Sequence, residues 1–400
     1  MKTTKGIIIP VCVLLFFSAA VTAQSPATEF RGVWVATVDN IDWPSRGNFD
    51  SDSQKVEFIR LLDMHKQNGM NAMIVQIRPC TDAFYPSQYE PWSAWLTGVQ
   101  GSPPTPYYDP LQFMVEETHK RNMVFHAWIN PYRAEFNPKD DLTSATHITK
   151  LHPEWFINYG EKKYFDPGNP AAREYVVDVV RDVVKRYDVD AIHFDDYFYP
   201  YPLEGKKFPD DASYQLYGKG MKKDDWRRSN TDSIIRQLWL AIKQENSQCI
   251  FGISPFGVWR NADKDAVNGS KTNGSLSNYD DLYADIVLWL KNGWIDYVAP
   301  QLYWEFSHRQ APFGTLLNWW SKHTYGKHCY IGLGMYKAGS NAAWKDKKLL
   351  PQQIEAIRNT PNIQGMAFFS SKSLEKNLNG WSDSLRLHYF KEKAGIPVIE

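Results

Sequence analysis

Cysteine is scarce in this chain. Only Cys12, Cys80, Cys249 and Cys329 occur, and no two stand at a CxxC spacing that would hold zinc or run redox chemistry. Cys12 lies inside an N-terminal apolar run, so three cysteines remain in the mature chain and an odd number cannot all pair within it. At most one disulfide is expected, which leaves stability to a large hydrophobic core. An excess of charge is also missing: 45 Lys and Arg offset 45 Asp and Glu. No chain-wide field gathers nucleic acid or anionic lipid. The GxSxG elbow, the P-loop and HExxH are absent, as are HxxxH and HxH. No cofactor and no metal are expected.

Long apolar runs are equally rare. The one at Ile7–Phe17 follows Lys2 and Lys5 and precedes the small-residue stretch Val21–Ala23. That is the pattern of a signal peptide over 1–23, with an apolar core too short to span a bilayer comfortably. Cys12 lacks the setting of a lipidated cysteine, so the expectation is an exported protein, periplasmic or cell-surface associated. Residues 24–400, roughly 377 of them, suffice for one large domain or two ordinary ones.

What the chain has in plenty is aromatic residues: 16 Trp, 22 Tyr and 21 Phe. They suit either a bulky core or a sugar-binding cleft, since aromatic faces pack against the C–H face of a pyranose. Their distribution bears on the choice. Short strand-like runs at 30–38, 71–77, 122–129, 190–195, 249–254, 295–303, 329–335 and 363–370 alternate with helix-like stretches. The latter fall near 52–68, 109–121, 171–187, 229–246, 279–291, 313–324, 349–358 and 373–391. Asp52, Asp109-Pro110 and Asn169-Pro170 are helix-start signals. Eight strands alternating with eight helices predict an α/β protein, a single-domain (β/α)8 TIM barrel. A doubly wound sheet would want a Gly-rich turn after the first strand, and "TVDNIDWPS" is not one.

Connections after strands two to five are long (78–108, 130–170, 196–228 and 255–278) and hold Trp92, Trp95, Tyr132, Tyr199, Tyr201 and Trp259 among their aromatics. In such a barrel these loops build the active face. "KGMKKDDWRR" at 219–228 reads as a solvated, charged approach to a helix, and the Asn268 and Asn273 glycosylation triplets as flexible turn.

Strand alternation then sorts the side chains. Ile192 and Phe194 face the helices, leaving His193 and Asp195 inside. Phe125, Ala127 and Ile129 face out, leaving His126, Trp128 and Asn130 inside. Gln76, Arg78, Ser254, Gln301 and Tyr303 join them, and Glu305 if the sixth strand stays extended. A structural barrel fills these layers with Val, Ile and Leu, so a polar interior points to a site. Glycoside hydrolysis needs two carboxyl groups at the scissile bond. Asp195, or its neighbour Asp196, and Glu305 are the expected pair. Glu305, between Trp304 and Phe306, takes the acid role, with Arg78 or His126 keeping the aspartate ionised. Parity turns Asp196 aside as a supporting or sugar-binding group. A metal-dependent polysaccharide deacetylase and a non-catalytic glycan-binding barrel remain as alternatives.

Five ordered motifs carry a resemblance: "EFRGVWVATVDNIDWPS" (29–45), "QIRPCTDAFYPS" (76–87), "HAWINPYR" (126–133), "FDDYFYPYP" (194–202) and "PQLYWEF" (300–306). Together they resemble the glycosyl hydrolase-like 10 family. The resemblance implies a TIM-barrel glycosidase outside the cytoplasm, acting on a carbohydrate polymer such as peptidoglycan strands stripped of stem peptides. Asp195, Asp196 and Glu305 stand at the matching acids. Arg31, Trp34, Arg78, Asn130, Tyr197, Gln301, Tyr303 and Trp304 are the implied sugar contacts. Gln76, His126, Trp128, Tyr132, His193, Ser254 and Trp259 complete the set expected around the substrate.

Overall fold

The computed structural model describes residues 26–136 and 143–399. The targeting segment expected at 1–23 lies outside the described residues. Eight parallel strands close into a barrel: β1 (Phe30–Val35), β2 (Ala72–Arg78), β3 (Val124–Ile129) and β4 (Ala191–Phe194), followed by β5 (Ile250–Ile253), β6 (Tyr297–Val298), β7 (His328–Gly334) and β8 (Gly365–Phe369). Closure is made by β1, which pairs with β8 through Phe30 and Gly365 and with β2 through Gly32 and Ala72. All eight strands fall where the apolar runs predict them, with helices between.

Helix starts follow local chemistry. Asp109 accepts from the backbone N–H groups of Leu111 and Gln112, Asn169 from those of Ala171 and Ala172, and each precedes a proline at the first helical position. The first helix (Ser51–Gln67) is capped by Asp50, not Asp52. The expected helix at 279–291 is broken into Asn278–Asp281 and Ile286–Lys291, because Tyr283 between them takes a positive φ of 52°. The last is broken likewise, with Asn377 and Asn379 in the left-handed region. "DDWRR" proves to be helical and partly buried: Trp226 packs inside, and Arg227 forks onto Asp210 at 2.6 and 2.8 Å. Among the described residues no helix is long and apolar enough to cross a membrane.

Two apolar layers flank the barrel wall, as alternation requires. Val33, Val75, Phe125, Ala127, Ile192, Phe194 and Val298 pack against the helices. Phe30, Trp34, Ile74, Trp128, Tyr297 and Tyr330 fill the interior. Phe30 stacks on Tyr330 at 4.0 Å, plugging the end where the strands begin. Above this plug the Tyr297 hydroxyl bonds to Nδ1 of both His126 (2.9 Å) and His193 (2.7 Å). Only glycine fits opposite the Tyr297 ring, since a Cβ on Gly252 would lie 1.9 Å from it. Cys80, Cys249 and Cys329 are buried free thiols, consistent with a core that does not depend on disulfides.

The connection after β3 holds structure that no sequence run announced. Arg133–Glu135, Lys162–Phe165 and Phe156–Tyr159 form a small antiparallel sheet over the mouth of the barrel. Its first two strands bring Arg133 and Lys162 to the edge of the central cavity.

Candidate active site

The barrel opens at the strand C-termini into a cavity of about 450 Å3. Its centre is the end of β4. The ladder stops where Ser254 N–H donates to the Phe194 carbonyl at 2.8 Å. Beyond that point the chain is no longer a regular strand and alternation lapses, so Asp195 and Asp196 both line the cavity. Parity alone sends Asp196 aside; release from the ladder lets it turn in.

The two neighbours sit in different surroundings. Asp195 is held by neutral donors: Asn130 Nδ2 to both carboxylate oxygens (2.9 and 3.1 Å), Trp128 Nε1 at 3.1 Å, and the Tyr197 backbone N–H at 3.3 Å. Burial raises its pKa, while the Arg133 charge and the Asn130 and Trp128 hydrogen bonds pull it back. Asp196 accepts from the Tyr201 hydroxyl, and the Gln301 side chain adds a weaker hydrogen bond. Burial, and then the charge of Asp195, push it up to about 7, against the pull of Tyr201. Near neutrality Asp196 therefore keeps part of its proton, beside a second carboxyl that burial also raises.

Other predicted residues converge on the same cavity. Trp34, Trp128 and Trp304 supply indole faces, and Tyr197 and Tyr303 add their rings. Trp34 Nε1 donates to His193 Nε2 at 3.1 Å, and Ser254 Oγ lies 3.0 Å from the same nitrogen. Gln301 donates to the Ser254 carbonyl at 2.9 Å. Gln76 Oε1 accepts from the backbone N–H groups of Thr37 (3.1 Å) and Val38 (2.9 Å), which fixes the amide's orientation. Its fully buried Nε2 has no protein partner and is free to donate to a ligand.

Several predicted residues do not reach the cavity. Glu305 is not among the residues lining it; its Oε2 accepts from Trp344 Nε1 at 2.9 Å. Among the described residues the carboxyl groups lining the cavity are the Asp195–Asp196 doublet, and the expected partner Glu305 is close enough to the lining residue Lys337 to act on its charge. Arg78 leaves the alternation at a register shift between Gln76 and Arg78, and forks onto Glu90 at 2.5 and 2.8 Å. Its charge is engaged by Glu90, and the cation that pulls the Asp195 pKa down against burial is Arg133. His126 is tied to Tyr297 below the cavity, neutral because burial pulls its pKa to about 4. His193 lies beneath Trp34 and Ser254, likewise uncharged through burial. Arg31 bridges Glu29 (2.7 Å) and the Glu392 carbonyl (2.8 Å) at the opposite end of β1. Tyr132 packs on Phe165, and Trp259 stacks on Trp319 at 5.7 Å. Asn130 acts through Asp195.

The sequence reading missed a group of cations. Arg133, Lys162 and Lys337 all line the cavity. Arg133 stands 5.2 Å from the Tyr197 ring centre, and Lys162 stands 4.7 Å from that of Phe136. Lys337 Nζ donates to the Tyr303 carbonyl at 2.6 Å. Arg133 closes the quoted motif "HAWINPYR", so a signal for it was on the page. Tyr336 and Phe369, past the inner layer of β7 and β8, were reachable by extending the same alternation.

Comparison with known proteins agrees with this architecture. Residues 29–349 match the model of the family described as Glycosyl hydrolase-like 10. The glycosyl hydrolase YngK of Bacillus subtilis is 48% identical over 378 residues, spanning 93% of this chain and 74% of YngK. Glycosyl hydrolase DigH of Escherichia coli K12 is 37% identical over 382 residues, spanning 89% and 86%. Among solved structures, the PgaB (BpsB) glycoside hydrolase domain from Bordetella bronchiseptica superposes with a TM-score of 0.58 at 13% identity, over 90% of this chain and 99% of that one. The catalytic domain of β-amylase from Paenibacillus polymyxa gives 0.56 at 11%, over 92% and 99%. These two share the fold.

Proposed function

Since the chain belongs to the glycosyl hydrolase-like 10 family and is a glycosidase on a (β/α)8 barrel, we propose that it cleaves an acidic glycan polymer with the Asp195–Asp196 doublet. The observation that carries this reading is a pair of adjacent carboxyl groups in an aromatic cavity, one held by Asn130, Trp128 and the Tyr197 backbone N–H and the other by the Tyr201 hydroxyl. A general acid must hold its proton at the working pH and release it to the departing oxygen. Asp196, pushed up to about 7, meets that condition. Asp195, set among neutral donors beside Arg133, is the anion that stabilises positive charge gathering at the anomeric carbon.

The indoles of Trp34, Trp128 and Trp304 offer flat faces for sugar rings. Arg133, Lys162 and Lys337 favour a substrate that carries carboxylates. Peptidoglycan strands without stem peptides fit, because each muramic acid then displays a free lactyl carboxylate. Export over the N-terminal apolar run at Ile7–Phe17 puts the enzyme where such strands are found.

The test is incubation of the purified protein with peptide-free glycan strands, followed by chromatography of the products. Shortened fragments are expected. Tight retention of strands without cleavage would support the glycan-binding alternative instead. Cleavage abolished by a chelator and restored by a divalent metal would favour the metal-dependent one.

A further inference from the structure

The two cavity carboxylates raise a geometric question. In double-displacement and single-displacement glycosidases the acid and its partner carboxylate flank the scissile bond, so that a nucleophile or activated water meets the sugar face opposite the leaving group. Here both acids are consecutive residues at the end of one strand. They are also the only carboxylates among the described residues lining the cavity. From one stretch of backbone they can serve the departing oxygen and a substituent beside it.

The surroundings of Asp195 say what that substituent is. Its carboxylate is fixed by donors from Asn130, Trp128 and Tyr197, so it is a rigid acceptor. The indole that donates to it, Trp128, belongs to the apolar interior layer with Trp34 and Ala36, and all three line the cavity. A fixed hydrogen-bond acceptor beside a small apolar recess matches an acetamido group, with its N–H on the carboxylate and its methyl against the indoles. Gln76 Nε2, buried without a protein partner in the same wall, is a donor for a sugar oxygen.

We infer that the sugar cleaved carries a 2-acetamido group, that its carbonyl oxygen is the nucleophile, and that Asp195 holds the amide N–H. This rests on the glycosidase reading above and adds the substrate class and the nucleophile. As the glycosidic C–O bond breaks, Asp196 gives its proton to the departing oxygen. The carbonyl oxygen bonds to the anomeric carbon while the amide proton passes to Asp195, leaving a neutral oxazoline. Asp196, now a carboxylate, takes a proton from water as that water's oxygen bonds to the anomeric carbon. The oxazoline C–O bond breaks, Asp195 returns the proton to nitrogen, and the anomeric configuration is retained.

The test uses the thiazoline derived from N-acetylglucosamine, a stable analogue of the oxazoline, titrated into the full protein by calorimetry. Binding at least ~100-fold tighter than N-acetylglucosamine itself is expected. Asp195→Asn, checked for an unchanged melting profile, should lose at least ~10-fold of that affinity. Thiazoline that binds no tighter than N-acetylglucosamine overturns the inference without recourse to any variant. So does a covalent glycosyl-enzyme detected by mass spectrometry after treatment with a 2-fluoro glycosyl fluoride. Either result, with glycan strands still cleaved, leaves the glycosidase reading standing. Tight, Asp195-dependent thiazoline binding without glycan cleavage supports acetamido recognition and counts against the hydrolase reading alone.

Discussion

Asn130 donates one side-chain amide to both carboxylate oxygens of Asp195, at 2.9 and 3.1 Å. The adjacent Asp196 leans on the Tyr201 hydroxyl and, more weakly, on the Gln301 amide. This asymmetry is imposed by β3 and the loop after it, which carry Trp128, Asn130 and Arg133 to one member of the doublet only. From it follow the charge state of the site and its pH dependence.

With Asp196 as the acid, kcat/KM should fall as pH rises through about 7, because the proton needed by the leaving group is lost. An acid limb should appear where Asp195 takes up a proton, displaced upward from an ordinary aspartate. A pH–rate profile on a soluble glycan checks both limbs. A rate still climbing at pH 9 would contradict the assignment of Asp196.

Asn130→Ala removes a donor that favours the Asp195 anion, so its pKa should rise further and the acid limb should move up with it. The alkaline limb, set by Asp196, should stay in place or move down, because an Asp195 that protonates more readily repels the Asp196 anion less. A purely structural role for Asn130 would lower the rate at all pH values and leave both limbs in place.

Asp196 also links stability to pH. Its carboxyl is raised from 3.8 to about 7 on folding, so its burial is favourable while it is protonated. Between pH 3.8 and about 7 the unfolded chain ionises first, and wild-type stability declines across that window. Asn cannot ionise. The Asp196→Asn protein should therefore gain in melting temperature, relative to wild type, as pH rises from 4 to 8. Parallel thermal melts test this.

Arg78 and Tyr297 anchor buried polar groups around the barrel. Arg78→Met strands the buried Glu90 carboxylate and should cost about 3–5 kcal/mol. Tyr297→Phe removes the hydroxyl shared by His126 and His193 and should cost about 1–3 kcal/mol. Denaturant titration reads both. An Arg78 variant of normal stability but raised KM would return that residue to the sugar-binding set.

The barrel was legible because Ile192, Phe194, Phe125 and Val298 keep strict alternation, and the same alternation placed Trp128, His193 and Asp195 inside. It failed wherever the ladder fails. Arg78 follows a register shift, and Asp196 follows the end of β4. Gln301 and Tyr303, past the regular part of β6 at Tyr297–Val298, line the cavity as alternation expects, whereas Glu305, two residues further, is not in the lining. Lys162 comes from a short antiparallel sheet inside a long loop, where three- and four-residue strands leave no periodic signal.

The central claim is that the working acid is Asp196 and not Glu305. It is tested most directly by kcat/KM on peptide-free glycan strands for Asp196→Asn and Glu305→Gln side by side. Loss of about 100-fold or more is predicted for the first, with activity near wild type for the second. Full activity in Asp196→Asn together with collapse in Glu305→Gln, both proteins folded, would contradict it.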